Sequence, residues 1–182
     1  MTTCGKFTIL SLVMMRVLLK ILTSMLPQRV AYAHCDIPCG IYDPHHAQLA
    51  AHTVIRMTNM INDLKVSSEN PSFEERKKII HQIARLTKVK EDHAEIAKHE
   101  IRILWADYFK PEHIKDYPDL HELVFSTMKL ASKARQEINE DAAKELLSSV
   151  QKIAEIFYKT KGLTPVKVPS PYPTGLDIVL YK

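Results

Sequence analysis

Glycine is scarce in this chain, at 4 of 182 residues. Neither G-x-x-x-x-G-K-S/T nor G-x-G-x-x-G occurs, so both phosphate-cradling fingerprints are excluded. So few glycines also argue against a turn-rich all-β architecture. Cysteine is scarcer still, at 3 residues: Cys4 near the N-terminus, then Cys35 and Cys39. That is too few, and too local, for a disulfide framework. Acidic residues are missing from positions 1–33, which hold Lys6, Arg16, Lys20 and Arg29. The net charge of +4 comes entirely from that segment. From His34 onward, 21 basic residues face 21 acidic ones. A neutral body lacks the concentrated positive surface that nucleic-acid binding needs. Long apolar runs are also absent. Arg16 and Lys20 interrupt the N-terminal one, and no stretch reaches the roughly 18 uncharged apolar residues of a stable membrane span.

What is present reads as a soluble globular chain, with 46% hydrophobic and 25% charged residues. Residues 1–33 read as a cleavable leader. The segment ends in Ala31-Tyr32-Ala33, the small-x-small pattern of signal peptidase sites, with translation starting at Met1 or at Met14 or Met15. The alternative is an amphipathic helix that stays attached. Cleavage after Ala33 implies export to the periplasm or beyond the cell. Removal by a dedicated processing peptidase leaves the protein cytoplasmic.

Periodicity predicts four helices. Asp43-Pro44 is a start signal, and Ala50, Val54, Met57, Ile61 and Leu64 make one apolar face over residues 44–66. Ser72-Phe73-Glu74-Glu75 reads as a capping box opening a long helix to about Phe109, with Ile79, Ile83, Leu86, Ile96, Ile103 and Leu104 apolar and Pro111 as its stop. A third helix from Tyr117-Pro118 carries Leu120, Leu123, Val124, Met128 and Ala131, and Trp105 reads as core. Asn139 caps a fourth, with Ala143, Leu146, Val150, Ile153 and Phe157 inward and Gly162 as its stop. Short connections imply an all-α, antiparallel up-down four-helix bundle; together with the N-terminal metal-binding hook that precedes it, it occupies residues 34–162. Pro165, Pro169, Pro171 and Pro173 exclude helix from residues 163–182. That stretch is expected as an extended arm docking through Leu176, Ile178, Val179 and Leu180.

Chemistry concentrates in His34-Cys35-Asp36-Ile37-Pro38-Cys39-Gly40-Ile41-Tyr42-Asp43-Pro44. Cleavage after Ala33 would put a free α-amine, an imidazole and two thiols within six residues. Pro38 and Gly40 favour a compact loop that returns Cys39 toward Cys35. Thiolates and nitrogens suit nickel, copper and zinc. A two-nitrogen, two-sulfur square plane points to Ni(II) or Cu(II), whereas zinc prefers a tetrahedron. A Cys35–Cys39 disulfide is the plain structural alternative, and a nickel- or copper-delivery protein is the non-enzymatic one.

The segment resembles the hook of the nickel superoxide dismutase family, His-Cys-x-x-Pro-Cys-Gly-x-Tyr, at every fixed position. The resemblance extends through Ala94-Glu95-Ile96-Ala97-Lys98-His99, Leu104–Pro111 and Tyr117–His121, covering residues 34–161. It implies one nickel ion per subunit. The His34 amine and imidazole, the Cys35 amide nitrogen and thiolate, and the Cys39 thiolate are its ligands. Tyr42 stands over the open face, with Tyr108 and Lys110 near it. The implied reaction is disproportionation of superoxide in a homo-oligomer, and the resemblance implies a homohexamer. One departure stands out: the Glu and Arg that brace the axial imidazole in related enzymes align with Ala50 and His93.

Overall fold

The computed structural model describes Met15 and residues 39–182; the rest of the leader, His34 and Cys35 lie outside the described residues. The chain divides into two units between Ile37 and Pro38. The second is mostly helical. Its helices are α1 (His45–Asn62), α2 (Phe73–Ile103), α3 (Pro111–Asp116), α4 (Leu120–Gln136) and α5 (Glu140–Thr160), and a hairpin of β1 (Pro165–Pro169) and β2 (Asp177–Tyr181) follows. Helix α1 packs on α2 and α5, and α4 packs on the same two. Each of the four long helices thus buries its apolar stripe against two others. Val54, Ile55, Ile101, Leu120, Leu146, Val150 and Ile153 form the centre, all 4% exposed or less. Each such side chain contributes about 1.5–3 kcal/mol by leaving water.

Local signals set the helix ends. Ser72 caps α2 by accepting from the Glu75 amide at 3.2 Å. The reciprocal half of the expected capping box does not form. Glu75 instead accepts from the Ser67 amide (2.7 Å) and hydroxyl (2.6 Å), tying down the loop before the helix. Asn139 accepts from the Ala142 amide at 2.9 Å and starts α5. Helix α1 ends four residues before the expected boundary, at Asn62.

Three departures from the sequence reading have physical causes. Helix α2 does not run unbroken to Phe109. It becomes a π turn over Leu104–Tyr108, closed by the Phe109 amide donating to the Leu104 carbonyl at 2.9 Å. Pro111, read as a stop, also opens the short helix α3, because proline suits a first helical position where no amide donor is needed. Ile79, Ile83 and Leu86, read as core, are only half-buried, since the first half of α2 extends past its neighbours. Trp105 is likewise half-buried, its ring 5.4 Å from that of His121.

Lys90 is 1% exposed. Its ammonium donates to the carbonyls of Ala134 (2.7 Å), Arg135 (2.8 Å) and Glu137 (2.8 Å). These are the orphan acceptors at the end of α4, where a cation also complements the helix dipole. Burial holds this amine below its ordinary pKa.

Residues 163–182 form an antiparallel hairpin, with Val166 opposite Leu180 and Val168 opposite Ile178. Ile178 and Val179 are buried on the helices, whereas Leu180 is 36% exposed.

Candidate metal centre

Cys39 and Tyr42 lie in the extended segment that leads into α1, and His34 and Cys35 lie outside the described residues. Gly40 has φ +73°, a left-handed conformation that a side chain disfavours. It turns the chain so that the Ile41 amide donates to Cys39 Sγ at 3.4 Å. An N–H aimed at sulfur complements negative charge there. Among the described residues no three His, Cys, Asp or Glu side chains gather into a metal site; two of the three expected ligand residues lie beyond them.

Tyr42 is half-buried, with its ring centroid 5.6 Å from that of Tyr108 at 52°. Tyr108 closes the π turn. Its ring meets Phe157 at 4.6 Å and stacks on His113 at 5.6 Å. The Thr160 hydroxyl donates to the Phe157 carbonyl at 2.7 Å, so its single proton is committed. Tyr108 therefore donates in the 2.7 Å bond between the two hydroxyls. Beside these rings lies a cleft of about 320 Å³, lined by Gly40, Tyr42, Asp107, Tyr108, Lys110 and Lys161.

The base of the segment is fixed to the core. Asp43 Oδ1 accepts from the His45 amide at 2.7 Å. Burial first, then the charge and hydrogen bond of the Asp43 carboxylate, push the Tyr158 phenol far above its ordinary pKa, so it stays protonated. Tyr158 is 2% exposed and packs against Tyr181 of β2 at 5.0 Å.

The altered brace residues sit as follows. Ala50 is buried at 1% exposure. His93 Nδ1 donates to the Val89 carbonyl at 2.8 Å, within its own helix. His46 and Glu100 meet at 3.1 Å across α1 and α2.

Sequence reasoning found Tyr108 and Lys110 but not the place of His113 and Lys161 at the same cleft, nor Thr160, which bonds the Tyr108 hydroxyl. Lys161 was hidden beside Gly162, which reads only as a helix stop, and no local signal marks Thr160. His52 was also passed over. It is buried, with Nδ1 2.8 Å from the Thr174 hydroxyl and Nε2 3.2 Å from the Asp177 carbonyl.

The family model of nickel-containing superoxide dismutases matches residues 29–161. The chain is 36% identical over 135 residues to the superoxide dismutase [Ni] of Streptomyces coelicolor (strain ATCC BAA-471 / A3(2) / M145), covering 74% of this chain and 93% of that protein. The superoxide dismutase [Ni] of Streptomyces seoulensis gives the same identity and coverage. A native nickel superoxide dismutase structure superposes with a TM-score of 0.59 at 37% identity, over 70% of this chain and 99% of that one. These similarities define a class, the nickel-dependent oxidoreductases that act on superoxide. The chain belongs to the nickel-containing superoxide dismutase family.

Proposed function

We infer that this chain disproportionates superoxide, with nickel held by His34, Cys35 and Cys39. Two superoxide anions and two protons give one dioxygen and one hydrogen peroxide, one anion losing an electron and the other gaining it. The observation that carries this reading is that the family match spans the complete hook motif, including Cys39 and Tyr42. The donor set fits a nickel ion: soft thiolates with nitrogens of an amine, an amide and an imidazole. Bound nickel supplies one-electron exchange between its divalent and trivalent states.

The chain's own residues do the rest. The Ile41 amide moderates the electron donation of Cys39 Sγ by sharing its negative charge. Tyr42 and Tyr108 limit entry to small species, their tilted rings forming one wall of the cleft. Lys110 brings positive charge to the same cleft, favouring an anionic substrate.

The same reading includes the arrangement around the site. Cleavage after Ala33 frees the His34 amine, followed either by export or, with a dedicated peptidase, by cytoplasmic residence. An up-down four-helix bundle carries the hook, and the hairpin is an appended C-terminal element. The chain assembles as a homo-oligomer, a homohexamer in the family's manner. Phe73 (77% exposed) and Ile80 (66% exposed) on the protruding half of α2 support burial against a second copy.

The test joins three measurements on one sample. N-terminal sequencing is expected to begin at His34, metal analysis to give one nickel per subunit, and electron paramagnetic resonance of the oxidised protein to show Ni(III). Active, nickel-loaded protein that retains Ala33 would reject the amine ligand. Loaded protein that does not accelerate superoxide decay would reject the enzyme.

A further inference from the structure

The last turn of α5 brings Lys161 to the cleft, a position the sequence marks only as a helix end. Its ammonium lies 5.0 Å from the Tyr108 ring centroid and 5.7 Å from that of Phe157. Cation–π attraction to two rings fixes a side chain that otherwise samples many rotamers. The backbone under it is fixed too. The Gly162 amide donates to the Lys159 carbonyl at 2.9 Å, and the Leu163 amide to the Tyr158 carbonyl at 3.0 Å. Gly162 takes φ +74° to make this turn, and the docked hairpin follows at once. Thr160, next in sequence, accepts from the Tyr108 hydroxyl.

Among the described residues no carboxylate lies within ion-pair distance of Lys161. None of those residues neutralises its charge. Among the described residues Asp107 is the one acid lining the cleft, against Lys110 and Lys161. Lys159, two residues earlier, is also exposed and in the last turn but does not line the cleft.

We propose that Lys161 is a second steering cation of the superoxide entrance, placed over Tyr108 by the locked end of α5. This rests on the proposed dismutase reading and adds a residue to it. A cleft with two lysines on low-dielectric aromatic walls concentrates small anions, and the gain must fall with ionic strength. Lys161 positions and attracts substrate; it takes no part in electron transfer.

The test compares Lys161→Gln with Lys159→Gln, which each remove one charge from the same helix end. In the nickel-loaded processed protein, Lys161→Gln is expected to lower kcat/KM about threefold to tenfold at low ionic strength and to flatten its decline with salt. Lys161→Arg is expected to restore both, and Lys159→Gln to match the unsubstituted chain. A second readout needs no turnover. Crystals of the nickel-free full chain soaked in bromide are expected to show anomalous density in the cleft, lost in Lys161→Gln and kept in Lys159→Gln. Identical kcat/KM and salt dependence in the two glutamine variants overturn the proposal. If the unsubstituted loaded chain does not dismutate superoxide, the functional reading falls, and bromide alone decides: its loss in Lys161→Gln supports the anion site, its retention overturns it.

Discussion

Gln48 pairs with Val179 as though its side chain were a third strand. Gln48 Nε2 donates to the Val179 carbonyl at 2.9 Å, and the Val179 amide donates back to Gln48 Oε1 at 2.8 Å. Both residues are fully buried. A two-stranded hairpin laid on helices buries one edge of backbone donors and acceptors, and each needs a partner. Gln151 serves the same end, donating to the Asp177 carbonyl at 2.7 Å.

Gln48→Leu keeps the volume and strands both backbone groups of Val179. Unpaired buried polar groups cost about 1–3 kcal/mol each, so the substitution is expected to destabilise the chain by roughly 2–6 kcal/mol in denaturant unfolding. Hydrogen exchange is expected to speed most at Val179. Unchanged stability would show that the hairpin does not depend on this pair.

His52 makes hairpin docking sensitive to acid. Burial lowers its pKa below 6.5, only partly opposed by the Asp177 carbonyl. The unfolded chain then binds the proton more readily than the folded one. No penalty exists well above pH 6.5; it grows as pH falls through 6.5 and is complete below the folded pKa. Arg56 and Tyr172 line the cleft beside His52. Unfolding midpoints are expected to fall between pH 7.5 and pH 5, with a smaller fall in His52→Gln. Equal pH dependence in the two proteins would remove His52 as the cause.

Lys90→Met leaves three carbonyls at the end of α4 without their shared donor. The expected loss is about 1–3 kcal/mol, the cost of leaving a buried acceptor unsatisfied, because the substitution removes the charge itself and leaves only neutral carbonyls. Chemical denaturation followed by circular dichroism checks it. A loss under about 1 kcal/mol would mean that water replaces the ammonium freely.

Cys39→Ser and Cys35→Ser are each expected to abolish dismutation and nickel retention while leaving the helical circular dichroism signal unchanged. The helical core is built from the stripes of α1, α2, α4 and α5, and Cys39 lies outside it, exposed. Normal turnover in either variant would reject thiolate ligation and favour a structural role for the pair.

The helices and the hook motif were legible because each depends on neighbours in sequence. Ala143, Leu146, Val150, Ile153 and Phe157 share one face by the 3.6-residue period alone, and all five are buried. The Asn139 cap and the Gly162 stop act through bonds spanning a few residues. The hook is a contiguous pattern, so the family was recognisable without coordinates. The rest depends on distant residues meeting. Lys90 looks like a surface lysine until the end of α4 reaches it, and His52 looks partnerless until Thr174 and Asp177 arrive from the far end of the chain. The prolines of residues 163–182 forbade a helix, but pairing between β1 and β2 and docking on Gln48 decided the hairpin. Tyr42, Tyr108 and Lys161 form one cleft wall only because the π turn and the end of α5 bring them together. Local period and capping fix the elements; side-chain partners more than a hundred residues apart are fixed by packing.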